Sequence, residues 1–372
     1  MSATLPPPAN TASDANVQTK KFSFTQARNL IGDLTQPDPR IYWADFLLSI
    51  LGGHTAITCL LFLPKWAEGS SWLWPAMFVS YCLTVILYMR AVMFIHELVH
   101  LPKEGFRAFR IAWNVLCGFL LLVPSFLYYP HVDHHRRKHY GTEHDGEYLA
   151  LSHMGRWVIV GFIIQSLIIP FLAIARFLII SPICWFVPGA RAYVHRHAST
   201  MLVDPTYERT DASPRLMRMV VLQEVCCFAV ALTLVAGHWI ATGQWFNPNW
   251  IVFYAVAQGV LVLNEVRTLG AHRWTHTGEE MSFEDQLLDT VNYPHAPWIS
   301  ELWGPIGTRY HALHHLFPRL PYHNLGQAHR RLVAGLPADS IYHRTIAPSL
   351  TSEIQSLWRR AHRSEVRRTS RR

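Results

Sequence analysis

Twenty-two histidines occur in the 372 residues, and three groups of them have spacings that could hold a metal ion. His96-Glu-Leu-Val-His100 sets two imidazoles at i and i+4, where side chains on one helical face stand about 5–6 Å apart at Cβ. His131-Val-Asp-His134-His135 and His311-Ala-Leu-His314-His315 each set three at i, i+3 and i+4, so each group is expected to aim three imidazoles at a common point. A lone H-x-x-x-H pair is commonly two solvated histidines. Two H-x-x-H-H groups, each beside an apolar segment, are hard to explain without a metal, although imidazole suits zinc, copper, iron and nickel alike and does not choose among them. His96 to His100 also reads as H-E-x-x-H, in which two His hold zinc and the Glu is a general base. An intramembrane zinc protease would follow, but it needs only one further ligand and leaves both H-x-x-H-H groups idle.

The elements that must carry these residues are membrane helices. Hydrophobic residues make up 50% of the chain and charged ones 16%, against ~25% charged in an ordinary soluble domain, and the apolar residues fall in long blocks. Four blocks, at about 43–64, 72–95, 219–241 and 249–266, approach the ~20 residues a spanning helix needs. Two more, 111–129 and 157–187, are interrupted by Pro124 and by Pro170, Arg176 and Pro182, and are expected to be re-entrant or interfacial. The connectors 65–71 and 242–248 carry only Lys65 as a basic residue, so the positive-inside rule puts both termini and the long polar loops in the cytoplasm. The fold class is therefore an all-α integral membrane protein with four transmembrane helices and a cytoplasmic histidine-rich cap. If the three groups meet, an even number of crossings separates each pair.

At the ends, residues 1–25 are expected to be a disordered lead with no secretory signal, because no apolar h-region is present. A membrane domain over 26–345 precedes an amphipathic helix and basic tail over 346–372. Leu350, Ile354, Leu357 and Trp358 predict a short helix over 350–358 resting on the membrane surface. Net charge is +8, but residues 359–372 hold seven Arg and one Glu. The basicity is local, which argues against nucleic-acid binding. Cys59, Cys82, Cys117, Cys184, Cys226 and Cys227 lie in apolar stretches without C-x-x-C spacing, as small hydrophobes of a reduced protein do.

With HELVH, HVDHHRRKHYGTEHDGEY, NEVRTLGAHRW and YHALHHLFPRLPYHNLGQAHRRL in view, the chain resembles the membrane fatty acid desaturase and hydroxylase superfamily, as a bacterial member, over about residues 40–335. The resemblance implies a non-haem centre of two iron ions with O2 as co-substrate. His96, His100, His131, His134, His135, His311, His314 and His315 fall on the ligand positions, and His272 matches a ninth ligand shortly before the third box. Some relatives hold a water with an Asn four residues before that histidine; Thr268 stands there in this chain, and Asn264 is eight residues away. Glu97, Asp133, Asp145, Glu147, Glu265 and Asp289 could accept the second ring N–H of ligating histidines. His139, His144 and His323 fall outside the spacing and are read as structural. Arg136, Arg137 and Lys138 could meet an anionic head group, or simply obey the positive-inside rule.

No side-chain acid or base can break an unactivated C–H bond, so no catalytic residue beyond the metal ligands is expected. The leading reaction is desaturation of a fatty acyl chain, free or carried by CoA, carrier protein or glycerolipid. Decarboxylation to a 1-alkene, or alkyl or lipid hydroxylation, would use the same ligands. A metal transporter would need more polar residues along the spans. No haem, dinucleotide or iron–sulfur motif is visible, so electrons are expected from a ferredoxin, rubredoxin or cytochrome with its reductase. The implied location is the bacterial inner membrane, with termini and site cytoplasmic.

Overall fold

The computed structural model describes residues 22–201 and 203–369, which form helices joined by loops and a few isolated bridges. Most of the 1–25 lead lies outside the described residues, but Phe24 and Thr25 already open helix α1 (Phe24–Ile31), capped by Ser23. Helix α2 (Pro39–Trp66) begins at an Asp38 cap followed by Pro39, a pairing that satisfies free N–H groups and presets φ. Helix α3 (Leu73–His100) returns antiparallel to it, and ends where Leu101, preceding Pro102, turns extended, as a residue before proline must. The two pack closely because Gly53 lets the Tyr88 ring sit where a Cβ would be. At the far end of the pair from their connector, Tyr42, Phe46, Phe94 and Phe109 form a buried edge-to-face cluster. It fixes the last turn of α3, where His96 and His100 sit.

The 111–129 stretch is broken as expected. Helix α4 (Arg107–Trp113) runs into a π-helical turn, Asn114–Gly118; the chain then reverses through Leu122 at φ 56 and Pro124 to a 3-10 turn at Ser125–Tyr128. Asn114 and Gln223 hold that turn by hydrogen bonds to Ser125 and Phe126, delivering the chain to the one-turn helix α5 (His131–His134).

The stretch 157–187 becomes α6 (Arg156–Ile164), a break at Gln165–Leu167, and a helical run, Ile169–Phe186, made of α7 (Ile169–Ala175), a π turn and α8 (Ser181–Phe186). That run is a fifth helix long and apolar enough to cross a membrane, beside α2, α3, α10 (Pro214–Thr242) and α11 (Asn249–Ala271). Both flanks of the stretch bond to the same end of the molecule. Arg156 pairs with Glu365, Met201 N–H bonds Leu127 O and Val203 N–H bonds Gly146 O, with helix α9 (Ala190–His197) between. The chain thus leaves and returns at one end of the molecule. Exposed residues such as Leu48, Phe78, Phe171, Leu172, Ile240 and Ile251 give these helices apolar outer faces, and the chain is an integral membrane protein.

Beyond α11, short helices α12 (Phe283–Asp289), α13 (Pro297–Trp303), α14 (His311–Leu316) and α15 (Tyr322–Gly335) build the cap. The last helix, α16, runs over Leu350–Thr369, well past the expected 358, and it packs on the cap and α11 instead of lying free on a membrane surface. Leu357 and Ala361 are buried, Arg360 donates to Arg273 O, and Ser364 to His153 O. Arg359, Arg360, Arg363, Arg367 and Arg368 extend the helix because arginine has high helix propensity, and the stripe Ile354–Leu357–Ala361 continues the apolar face.

Candidate metal centre

Four chain segments bring nine histidines together. The last turn of α3 carries His96 and His100, α5 and the next residue carry His131, His134 and His135, α14 carries His311, His314 and His315, and His272 immediately follows α11. The nine form two groups, His96, His100, His131, His135 and His314 in one, and His134, His272, His311 and His315 in the other, with the donor nitrogens of each group within 4.8 Å of one another.

The expected convergence of each H-x-x-H-H box on one point does not occur, and helix geometry explains why. At about 100° per residue, i+4 lies about 40° to one side of i and i+3 about 60° to the other. His131 and His135 therefore stay together while His134 crosses to the second group; His311 and His315 stay together while His314 crosses to the first. Boxes two and three each serve both groups.

The donor set fits metal ions. Nε2 atoms meet at 2.9 Å (His131 and His135), 3.0 Å (His135 and His314), 3.0 Å (His311 and His315) and 2.8 Å (His272 and His311). His131 directs Nδ1 at Glu147, 2.9 Å away, and His134 directs Nδ1 at Asp145, 2.8 Å away. A neutral imidazole donating from Nδ1 has only a lone pair at Nε2. Where both facing nitrogens carry lone pairs, about 3 Å apart, they repel unless a cation lies between them; two nitrogens at ~2.1 Å from one ion and at right angles are about that far apart. Both ring nitrogens of His96 and Nε2 of His100 are buried without a hydrogen-bond partner.

Carboxylates fix the rings from behind. Tyr140 donates its O–H to Asp289 at 2.7 Å, so it accepts from His272 Nδ1 at 2.8 Å, leaving His272 Nε2 free to bind. Tyr128 stacks on His131 with centroids 4.6 Å apart. Burial, with repulsion among the neighbouring rings, holds His131, His135, His311, His314 and His315 well below the ordinary imidazole value, so they stay neutral donors. Burial also opposes charge on His134, yet Asp145 raises it. Burial pushes Glu147 up to about 7, whereas at Asp289 burial is outweighed by His272 and Thr275, which hold the carboxyl at about 2.

Three of the six anticipated carboxylates, Asp145, Glu147 and Asp289, face these rings. Glu97 instead accepts from Tyr42 O–H at 2.5 Å and Tyr322 N–H at 3.4 Å. It braces α2 against α15, which removes the general base from the H-E-x-x-H reading. Asp133 pairs with Arg136 and His139, and Glu265, buried near the end of α11, makes no hydrogen bond to any of the nine rings among the described residues. His144 is exposed and His323 accepts from Asp38 N–H; neither joins a group. Arg136, Arg137 and Lys138 are exposed on the cap surface.

Sequence reading missed Tyr140, Tyr128 and Asn292. Asn292 is wholly buried, accepts from Leu313 N–H, donates to Thr345 and bridges Tyr310 and Ile346 through its backbone, tying the third box to the segment that leads into α16. A lone Asn in a loop has no spacing to announce it.

With this geometry in hand, the comparisons give the class. The family model described as fatty acid desaturase matches residues 72–347, and the chain belongs to that family. It is also 36% identical over 363 residues, covering 96% of this chain and 97% of the relative, to a protein of Caulobacter vibrioides named ceramide hydroxylase. No solved structure matches the chain significantly. The chain is thus a membrane oxidoreductase of the desaturase and hydroxylase superfamily that acts on lipid acyl chains.

Proposed function

We propose that the protein is an O2-dependent lipid hydroxylase that holds two iron ions on the nine histidines and inserts one oxygen into a chain of a ceramide-type lipid. The observation that carries this reading is similarity to a ceramide hydroxylase along nearly the whole of both chains, joined to a site whose nitrogens fit two ions. Iron bound there would supply the oxidising power that breaks an aliphatic C–H bond. The protein's own residues keep the imidazoles neutral by burial and fix the tautomers of His134, His131 and His272 through Asp145, Glu147 and Tyr140. Hydroxylation uses one O2, two electrons and two protons per alcohol and water formed, and the electrons come from a separate carrier and reductase. The location is the inner membrane of a bacterium, with termini and cap in the cytoplasm, in keeping with the positive-inside rule.

Desaturation is the second reading, favoured by the family model; it uses the same ligands and differs in removing a second hydrogen instead of adding oxygen. Lipid mass spectrometry of cells expressing the protein, supplied with ceramide and isotopically heavy O2, separates the two. Ceramide with one heavy oxygen is the expected product, absent in a membrane-inserted His311→Ala variant. Loss of two hydrogens without oxygen makes the protein a desaturase, and a 1-alkene makes it a decarboxylase. Purified enzyme should contain about two irons per chain; zinc with unchanged lipids would overturn the proposal.

A further inference from the structure

Between the run Ile169–Phe186 and α10 the chain forms an open cleft of about 540 Å³, lined by Arg191, Ala192, His195 and Arg196 of α9 and by Arg209 and Met217, which lie before and within the first turns of α10. Among the described residues its lining holds three arginines and no carboxylate side chain. Arg209 is 2% exposed and is spent on the fold: it pairs with Asp211, Nε to Oδ1 at 2.5 Å, and donates to Phe126 O and Ser199 O. Arg191 gives Nη1 to Glu224, a wholly buried carboxylate that Arg176 also holds, at 2.5 Å. Two guanidiniums on one carboxylate leave one positive charge over at the cleft wall. Nε and Nη2 of Arg191, and both Nη atoms of Arg196, have no hydrogen-bond partner among the described residues.

His195 makes the cleft more than a basic patch. It is 4% exposed, and its Nε2–H donates to Asp211 O at 2.6 Å, which leaves a lone pair at Nδ1. That atom is buried and without a partner. Burial holds the ring below the ordinary imidazole value, so Nδ1 stays an acceptor. A buried acceptor without a donor is costly, and it lies among guanidinium N–H groups that lack acceptors. An occupant combining an anionic oxygen with a hydroxyl satisfies both.

The segment just ahead of the cleft says where such an occupant comes from. Ile183, Phe186 and Val187 are 46%, 82% and 49% exposed, an apolar face at the end of a helical run long enough to cross a membrane. Arg215 and Arg218, exposed in the first turns of α10, add positive charge beside Met217. The geometry points to a binding site for the head group of an anionic phospholipid, with its phosphodiester on Arg191 and Arg196, a hydroxyl on His195 Nδ1, and its acyl chains along Ile183 and Phe186. Basic pockets beside spanning helices hold such head groups. Free phosphate would meet the same N–H groups but leave the apolar face bare. A neutral ceramide would leave the arginines without an anion, so this site is separate from that of the oxidised lipid.

Native mass spectrometry of the full chain in mild detergent, titrated with dioleoylphosphatidylglycerol or dioleoylphosphatidylcholine, tests this. Phosphatidylglycerol should bind about tenfold tighter than phosphatidylcholine, or more, because only it brings a net negative charge to the arginines. Arg196→Gln should weaken phosphatidylglycerol binding by about tenfold, the loss expected for a hydrogen bond to a charged group, with metal per chain unchanged. Ala192→Glu puts a carboxylate into the cleft from an exposed helical position and should abolish the preference; it keeps the inference testable if Arg196→Gln disturbs the pair with Glu208. Equal binding of the two lipids by wild type, or full phosphatidylglycerol affinity in both variants, overturns the site. Inorganic phosphate should compete only in large excess, and competition at matched concentration makes the cleft a free-phosphate site and overturns the lipid assignment. Each of these failures leaves the hydroxylase reading intact, because that reading rests on other residues.

Discussion

Tyr140 O–H has one proton and gives it to Asp289, which obliges His272 to donate from Nδ1 and to present Nε2 inward. Tyr140→Phe removes both bonds without changing the ring's volume. The expected loss is about 10–100-fold in metal affinity or activity, the usual cost of deleting a partner of a ligating histidine, seen as faster metal release to a chelator from the four-histidine group. Eight of the histidines were legible because metal-ligand chemistry imposes both a residue type and a helical spacing, whereas His272 stands alone and was pointed to only by the family resemblance. The division of the nine into five and four was not legible, since i+3 and i+4 both count as one face on a helical projection and only the direction of each ring separates them. Tyr140 and Asn292 were invisible for another reason: they act through partners distant in sequence.

Among the elements, α16 does what its composition conceals. Seven arginines within 359–372 read as a solvated tail, yet the helix carries Leu350 into the space left open at Gly270, where a Cβ would come within 2.1 Å of the Leu350 side chain. Glu353 pairs with Arg273 and Arg360 reaches Arg273 O, so α16 clasps the residue that follows His272. Gly270→Val should lift this clasp, lowering the thermal midpoint by a few degrees for a cost of about 1–3 kcal/mol from overpacking. The same variant should release metal faster, measured against wild type by a chromogenic chelator. The four long apolar helices were legible from block length alone, whereas the 157–187 stretch was ambiguous because its prolines interrupt it without saying which way it turns.

For the whole molecule, the return of 156–200 to its starting end, with α10 and α11 both crossing, predicts that the cap and the α10–α11 connector lie on opposite faces of the membrane. In a background without the native cysteines, Trp157→Cys and Tyr193→Cys should react with an impermeant thiol reagent from one side of sealed vesicles, and Trp245→Cys from the other; labelling of Trp157→Cys and Tyr193→Cys from opposite sides would make Ile169–Phe186 a true fifth crossing. Stripping the metal should loosen the cap more than the α2–α3 pair, because the cap's boxes would then hold repelling lone pairs, whereas the aromatic cluster at Tyr42 and Phe94 is untouched. Hydrogen exchange on the apoprotein should therefore rise over 131–148 and 290–316 while the interior of α3 stays protected.

The crossing-over of His134 and His314 also sets an order on biosynthesis. The five-histidine group needs His314 and the four-histidine group needs His311 and His315, so neither can be complete until the third box has left the ribosome, by which time α2, α3, α10 and α11, all earlier in the chain, have been made. On the two-ion reading proposed above, loading would be a final step on an inserted chain, and insertion would proceed without any help from the ions.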